Sequence, residues 1–594
     1  MKKIAIKPNF IYSLVIVLTL LLVMGFVGDY FFEENDDVLI KDIISGAYTG
    51  TPEGHNMQLL YPISFIFSLF YSVIRGVDWY GFFLCAVQYL CVFLISVAGL
   101  KKLKINKQKV VTALFILLFS LGIVGAHFLF IQYTFTCGFM SATAAFLILM
   151  HERNEDRFHV IAFVLLSFAF MLRSEMLLLT FPMVLVAVLI KWITSKEMAK
   201  EFKGLLGLII AVAIAALLGY VINMIALGTP KWNDFTRFFK ARTELYDFQP
   251  GFVNDSDYED NKDFYDSIGL DKSEVELLKN YNFGLDNEID ADCLSKIAEY
   301  AKKQNADETP FIQKVIGSIK PYLYNLRHFS KQTNFMEPQT DYPWNLIVIV
   351  LYLGVVIAYV FPFGESSRKE NIKIIGLLAV LFACRTSLWL YLIAGGRVPI
   401  RISHPLYLVE SMILLAMLLN REKARRHSIT AIMVLASLLC IIAVPNQAAV
   451  IKSELASREL MREHYDALDD YFRQNKDKYY FVDVYTSVSC GEDKAEGETG
   501  FSEKLFENVD NSYQNHDIMG GWACKSPLYD KKMKKAGFDD MQSALLKDKV
   551  FFVQNKSESF EWLIDYYENK GVEVIISRED IIAGTFAIYS LGKK

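Results

Sequence analysis

Long apolar segments alternate with short polar ones along the chain up to about residue 445. A membrane-spanning helix needs about 20 mainly apolar residues, and the pattern predicts about eleven spans. The predicted spans cover residues 10–27, 79–100, 110–126, 130–150, 159–172, 176–193, 204–227, 344–363, 374–394, 405–419 and 429–444. The pattern therefore predicts a mainly α protein, a polytopic bundle of transmembrane helices.

Lysine and arginine are concentrated in alternate loops between these spans. Cytoplasmic loops of membrane proteins carry an excess of both residues. The lysine-rich segment 101–109 lies inside only if the N-terminus is cytoplasmic and the apolar segment 59–74 is not a span. We therefore predict that 59–74 is a helix lying on the outer membrane surface. The predicted protein is a multi-pass plasma-membrane protein with three outward-facing regions, residues 28–78, 228–343 and 446–594.

The region 446–594 has a pattern different from that of the membrane module, 1–445. Short segments rich in β-branched and aromatic residues predict strands, and one amphipathic segment predicts a helix. The strands are expected at 478–486, 549–554, 572–577 and 585–589, and the helix at 560–570. This pattern predicts an extracytoplasmic α/β domain. Cys490 and Cys524 fall within it, and both a disulfide and two unlinked thiols are compatible with that compartment.

Composition narrows the class of partner. Hydrophobic residues make up 53% of the chain and charged residues only 21%, with a net charge of −5. Nucleic-acid-binding proteins usually carry a basic patch and a basic pI, so we expect no nucleic-acid partner. Membrane lipids are expected to surround the bundle.

An acidic segment follows the first predicted span directly. Its sequence is Asp29-Tyr30-Phe31-Phe32-Glu33-Glu34-Asn35-Asp36-Asp37. Adjacent carboxylates oppose each other's ionisation, so above a bilayer they need either abundant water or a function. A solvated acidic loop and a functional site both fit this segment, although its apolar neighbours indicate that it is partly buried.

The acidic segment continues into a second motif. It reads Ser45-Gly46-Ala47-Tyr48-Thr49-Gly50-Thr51-Pro52-Glu53-Gly54-His55, and the aromatic pair Trp79-Tyr80 opens the next span. The arrangement resembles the GT-C superfamily of polytopic glycosyltransferases, in particular its bacterial branch. The resemblance implies an extracytoplasmic enzyme that uses a polyprenyl-phosphate-linked sugar, with a glycan, lipid or protein of the cell envelope as acceptor.

The resemblance also implies roles for the paired aspartates. Asp36 or Asp37 would act as the general base that deprotonates the acceptor hydroxyl during an inverting displacement. The other would orient the acceptor or bind a divalent cation, since oxygen ligands suit Mg²⁺ and Mn²⁺. Whether a metal is needed stays open.

Few cations lie on the predicted outer side to bind the donor phosphate. Arg397 and Arg401 lie between the ninth and tenth spans. Arginine binds phosphate oxygens well, although contact with lipid headgroups is an alternative role. Further candidates for substrate binding are Arg173, Arg242, Tyr48 and His55. Arg385 lies within a span, where a charged group has a function or a partner, and the sequence does not reveal that partner.

Other classes of membrane protein remain alternatives. A transporter or flippase for lipid-linked saccharides places polar groups near the membrane midplane, whereas these carboxylates cluster outside the first span. A polysaccharide polymerase or ligase and a non-enzymatic sensor fit fewer features. The sugar and the acceptor are not identifiable from the sequence.

Overall fold

The computed structural model describes most of the chain, including every predicted membrane segment in whole or part. The described residues are 8–152, 156–255, 257–304, 310–336, 338–360, 368–420, 426–490, 503–506 and 512–594. The end of the predicted span 344–363 lies outside them. All structural statements below refer to these ranges.

The membrane module is mainly helical. Its helices are α1 (Pro8–Val27), α2 (Asn35–Ser45), α3 (Tyr61–Val73), α4 (Trp79–Lys102), α5 (Asn106–Gly122), α6 (Gly125–Leu129), α7 (Tyr133–Met150), α8 (Arg157–Leu172), α9 (Ser174–Thr194), α10 (Met198–Ala226), α17 (Trp344–Val360), α18 (Arg368–Ala394), α19 (Ile400–Leu419) and α20 (Arg426–Gln474). Two short strands, β1 (Phe31–Phe32) and β2 (Phe130–Ile131), lie among them.

The loop between α10 and α17 is also mainly helical; this loop and residues 28–78 are called the outer loops after the side of the membrane that the sequence predicts for them. It contains α11 (Pro230–Thr243), α12 (Pro250–Asp255), α13 (Lys262–Ile268), α14 (Lys272–Lys279), α15 (Ala291–Gln304) and α16 (Phe311–Arg327). Single turns of π or 3-10 helix cover Glu244–Phe248, Glu259–Asn261 and Phe283–Leu285.

A helix lies at each of the eleven predicted spans. Within the described ranges, eight of these helices are long and apolar enough to cross a membrane, namely α1, α4, α7, α9, α10, α18, α19 and α20. Helices α8 and α17 are apolar but shorter. Helix α3, at the segment predicted to lie on the surface, has 13 residues and is therefore only about 20 Å long, too short for a hydrocarbon core of about 30 Å.

Helices α7 and α19 form the centre of the bundle. Every residue of α7 is buried, and its small side chains allow α19 to approach closely. A Cβ atom on Gly138 would lie 2.3 Å from the Cβ atom of Pro405. Small residues at helix interfaces are a common way to pack membrane helices, because burial of apolar area drives association weakly in lipid.

The intramembrane Arg385 has a partner that the sequence did not reveal. Its Nε atom donates to Glu410 at 2.8 Å, and its Nη1 atom donates to the Tyr322 hydroxyl at 2.7 Å. Tyr352 donates a further hydrogen bond to Glu410 at 2.7 Å. A buried ion pair of this kind requires such additional hydrogen bonds, because desolvation of two charges is costly.

The first external loop is anchored to the bundle by a small parallel sheet. Strand β1 pairs with β2, and Arg458 of α20 donates to the carbonyl oxygens of Phe32 and Glu33 at 2.7 and 3.0 Å. Helix α2 follows and ends at Gly46, whose φ of +92° is the left-handed conformation that favours glycine after a helix. The loop thus holds the first turn of α2 in a fixed position.

The C-terminal region contains a mixed five-stranded sheet. Its elements are β3 (Tyr479–Val482), β4 (His516–Ile518), α21 (Pro527–Lys535), α22 (Met541–Ala544), β5 (Val550–Asn555), α23 (Glu561–Asn569), β6 (Val574–Ile582) and β7 (Phe586–Lys593). The strand order is β4-β3-β5-β7-β6, with β3 parallel to β4 and β5 and the remaining pairs antiparallel. The predicted fold class, a helical membrane bundle with a C-terminal α/β unit, is confirmed.

The C-terminal region differs from the sequence prediction in one strand and in the length of helix α20. The three-residue strand β4 was missed, because so short a segment shows no alternating pattern. Helix α20 continues through Pro445 to Gln474, so the membrane module and the α/β unit share one helix. Cys490 and Cys524 are both buried, and they form no disulfide with each other.

The α/β unit packs on both outer loops. Tyr48 of the first loop donates to Asp517 at 3.1 Å, and Asn282 of the second donates to Asp483 at 2.7 Å. Lys41 also pairs with Glu503. These contacts place the α/β unit over the acidic segment.

Candidate functional site

A cavity of about 1320 Å³ lies between the bundle, the two outer loops and the α/β unit. Ligand pockets typically enclose about 300–1,000 Å³, so this cavity has room for more than one small group. On one side its lining includes Leu178, Phe311 and Tyr391, which are about 60% exposed. Exposed apolar side chains on a membrane protein are suited to contact with lipid, so this side of the cavity has an apolar rim.

Asp36 lines this cavity from the first turn of α2. The partial positive charge of a helix N-terminus favours a carboxylate there. Burial nevertheless raises the pKa of Asp36 above its ordinary range, while the guanidinium groups of Arg242 and Arg173 and a hydrogen bond from Trp522 oppose that rise. A carboxylate with a raised pKa is a stronger base, which suits proton transfer near neutral pH.

Asp37 has a different position from Asp36. Its carboxyl group is fully buried beneath the cavity and accepts a hydrogen bond from the Tyr80 hydroxyl at 2.7 Å. Burial raises the pKa of Asp37 well above its usual range. Asp37 is absent from the cavity lining, so the structure separates two residues that the sequence treated alike.

Arg242 and Arg173 are the cations that affect Asp36 most strongly. The guanidinium group of Arg242 lies over the Tyr281 ring at 5.4 Å, and its buried Nε atom has no hydrogen-bond partner among the described residues. Arg173 donates to Gln58 at 2.6 Å and lies 3.4 Å from Glu175. Both arginines line the cavity.

Arg397 and Arg401 also line the cavity, but acidic residues already contact them. Arg397 lies 3.3 Å from Asp247, and Arg401 pairs with Glu34 of the acidic segment. The phosphate-binding role predicted for these two arginines would therefore require a rearrangement of ion pairs.

The two remaining candidates from the first loop differ in position. Tyr48 lines the cavity, with Lys532 over its ring at 4.2 Å. His55 lies outside the lining and stacks on Trp232 at 5.1 Å. Burial lowers the pKa of His55. Because His55 does not line the cavity, its contact with substrate stays a prediction.

Glu33 is a cavity residue to which the sequence gave no role. Its side chain is 2% exposed, and neither carboxyl oxygen has a hydrogen-bond partner in the described structure. Burial raises the pKa of Glu33 to about 7, although the charges of Arg401 and Arg458 oppose the rise. Ionisation of this group is therefore costly to the folded protein.

Glu33→Gln is expected to stabilise the protein at alkaline pH. The pKa of Glu33 rises from an ordinary 4.5 to about 7 on folding. The protonated carboxyl group therefore contributes fully to the free energy of unfolding below pH 4.5, and this contribution is lost as the pH rises through 7. The substitution should remove a cost of up to about 3 kcal/mol at pH 8.5. Unfolding temperatures of the purified protein at pH 5.0 and 8.5 would measure it.

The exposed Glu561 supplies the control for this experiment. Glu561→Gln should leave the unfolding temperature almost unchanged at both pH values. An equal effect of the two substitutions, or a Glu33→Gln effect independent of pH, would contradict the assignment.

Two groups of acidic and histidine side chains in the described ranges have metal-ligand spacing, and neither includes Asp36 or Asp37. In the first group, Lys570 Nζ lies 2.7–3.1 Å from carboxylates of Glu274, Asp286 and Glu288, so an ammonium group already occupies the cation position. The second group, which includes His151, lies at the end of α7 away from the cavity. Metal dependence of the Asp36 site stays open.

Trp522 is the functional contact that sequence reasoning missed. It belongs to the α/β unit, lines the cavity and donates a hydrogen bond to Asp36. Its only signal in the sequence is the adjacent pair Gly520-Gly521, which lets the backbone approach closely; a Cβ atom on Gly520 would lie 2.0 Å from the Tyr281 carbonyl oxygen.

Comparisons with known proteins add little to this geometry. No protein-family model and no curated protein matches the sequence. Among solved structures, the chain is similar to ArnT from Cupriavidus metallidurans in the apo state, with 11% identity, a TM-score of 0.37 and 97% of each chain covered. At this level of similarity, the functional argument depends on the cavity and the acidic segment.

Proposed function

We propose that this protein is a membrane glycosyltransferase that takes a sugar from a polyprenyl-phosphate donor and transfers it to an extracytoplasmic acceptor. The observation that carries the proposal is the position of Asp36. It lies on the wall of a cavity that has an apolar rim on one side and extends under a polar α/β unit on the other. A donor with a lipid tail and a polar acceptor can meet at such a place.

The proposed reaction is a single displacement. Asp36 takes the proton from the acceptor hydroxyl, and the acceptor oxygen forms a bond to the anomeric carbon. The bond from that carbon to the phosphate oxygen breaks, and the phosphate keeps the electron pair. Attack from the side opposite the leaving group inverts the anomeric configuration.

The arginines provide the positive charge that the leaving phosphate needs. Arg242 and Arg173 are the cations that lower the pKa of Asp36 most. Arg401 and Arg397 line the same cavity. A charge-assisted hydrogen bond to phosphate is roughly twice as strong as a neutral one. We assign the donor phosphate to the Arg242 side, because the Nε atom of Arg242 has no hydrogen-bond partner among the described residues.

The proposal includes the predicted topology and domain boundaries. The N-terminus is cytoplasmic, and residues 28–78, 228–343 and 446–594 face outward, because this arrangement keeps the lysine-rich segment 101–109 inside. Residues 1–445 form the transferase module. The α/β unit covers its site, as the hydrogen bond from Trp522 to Asp36 indicates.

A transporter of lipid-linked saccharides is less well supported. Such a protein needs polar groups near the membrane midplane that bind the substrate. The buried intramembrane pair of Arg385 and Glu410 is satisfied by its own hydrogen bonds. Neither residue lines the large cavity.

Donor cleavage by the reconstituted protein tests the proposal. Liposomes with the full-length protein would receive a panel of polyprenyl-phosphate sugars, and chromatography would follow the release of free polyprenyl phosphate. We expect release with at least one donor, and release about 10²- to 10⁴-fold slower from liposomes with Asp36→Asn protein. Movement of intact donor across the bilayer without cleavage would instead establish a transporter.

A further inference from the structure

The cavity has a second compartment on the side of the α/β unit, which we call the tail chamber. Its wall is formed by polar residues of α2, α20, β4, α21 and the segment before β4, namely Asp42, Asp469, Gln514, His516, Asp517 and Lys532. These residues line the same cavity as Asp36, and so does Trp522, which donates a hydrogen bond to Asp36.

The tail chamber is rich in hydrogen-bond acceptors. Carboxylates of Asp42, Asp469, Glu503 and Asp517 line it. The ammonium groups in contact with these carboxylates are those of Lys532, 3.6 Å from Asp517, and of Lys41, which pairs with Glu503 and Asp42. The guanidinium group of Arg473 also acts on Asp469, so four carboxyl groups stand against three cationic groups.

Several polar groups in the tail chamber are arranged for a ligand. The Nδ1 atom of His516 is buried and has no hydrogen-bond partner among the described residues. Gln514 donates to Asp42 at 3.1 Å, and Asp469 lies close enough to Asp42 and Glu503 for their charges to repel. A carboxyl group offers acceptor oxygens in either protonation state, so a ligand that brings hydroxyl or amino donors would satisfy these groups.

The entrance and lining disfavour other classes of acceptor. The first loop is joined to the α/β unit across the tail chamber by the bond from Tyr48 to Asp517 and the pair Lys41–Glu503. A folded protein would have to displace these described contacts to enter the tail chamber, which disfavours a folded protein as acceptor. The charged lining makes burial of a lipid chain costly.

We propose that the tail chamber binds the acceptor, and that the acceptor is a saccharide that is neutral or carries amino groups. This inference rests on the proposed transferase function. Sugar hydroxyls donate to the carboxyl groups, and the ring of Trp522, which lines the cavity, offers an apolar surface for a sugar face. Anionic sugars are repelled by the excess of carboxylates. The acceptor hydroxyl nearest Trp522 is the one presented to Asp36.

Glycan binding by the full-length protein in lipid nanodiscs, without donor, tests this inference. The probe is an array of oligosaccharides built from neutral hexoses, hexosamines or uronic acids. We expect retention by neutral or hexosamine glycans and not by uronic acids, with affinity lowered at least tenfold in Asp469→Asn. The matched control is Asp470→Asn, because Asp470 is adjacent, exposed and paired with Arg473 at 3.1 Å.

Each outcome of the glycan-binding experiment supports or contradicts acceptor binding in the tail chamber. Absence of glycan binding, preference for uronic acids, or equal binding by Asp469→Asn and Asp470→Asn proteins would overturn the inference, as would binding to peptide or phospholipid arrays alone. If Asp469→Asn protein fails to accumulate, Gln514→Ala alters the same wall and should weaken binding similarly.

The donor-cleavage assay separates the two proposals. Cleavage of donor without glycan binding would support the transferase function and contradict acceptor binding in the tail chamber. Glycan binding without cleavage of any donor would leave a saccharide site and remove the transferase function.

Discussion

Asp36→Asn is expected to lower sugar transfer about 10²- to 10⁴-fold, the usual effect of removing a positioned general base. The loss should appear in turnover rather than in donor affinity, because the amide has nearly the same size as the carboxylate. Asparagine can still accept the hydrogen bond from Trp522. Rates of polyprenyl-phosphate release at saturating donor would measure the effect.

Asp37 provides a matched control for Asp36. The two aspartates are adjacent in the first turn of α2, but only Asp36 lines the cavity. Burial favours the neutral form of the Asp37 carboxyl, and the amide oxygen of Asp37→Asn can accept the bond from Tyr80. This variant should keep most of its turnover. Equal losses in the two variants would contradict the assignment of the base to Asp36.

The membrane architecture was readable from the sequence because each span is a local feature. An apolar segment of about 20 residues predicts a helix whatever its neighbours are. The position of Asp36 was also readable, since the first loop must follow α1 directly at the membrane surface. The sequence could not distinguish Asp36 from Asp37, because a difference of one residue on α2 decides which side chain faces the cavity.

Contacts between distant segments could not be read in the same way. Arg385 pairs with Glu410, 25 residues away on another helix, and Trp522 reaches Asp36 from the opposite end of the chain. Arg458 occurs in an ordinary-looking amphipathic helix, yet it is buried and holds the first loop through the carbonyl of Phe32. These contacts depend on how distant helices and the α/β unit pack against one another, which no local pattern specifies.

Arg242→Ala is expected to weaken use of the lipid donor about 10- to 150-fold, because loss of a hydrogen bond to a charged group costs about 1.5–3 kcal/mol. Arg242 ends the amphipathic helix α11, whose buried face is formed by Trp232, Phe235 and Phe238. This packing fixes the guanidinium group beside Asp36. Donor titrations that follow polyprenyl-phosphate release would show the loss.

Two further variants, Arg242→Lys and Arg237→Ala, make this prediction specific. Arg242→Lys should recover only part of the activity, because an ammonium group lacks the planar fork of donors that binds two phosphate oxygens. Arg237 lies on the same helix but is exposed and pairs with Asp234 and Asp292, so Arg237→Ala should retain normal donor kinetics. If Arg242→Ala behaves like Arg237→Ala, the donor phosphate does not bind on the Arg242 side. The same titrations on Arg397→Ala and Arg401→Ala proteins would then show whether the phosphate displaces Asp247 or Glu34 from those arginines instead.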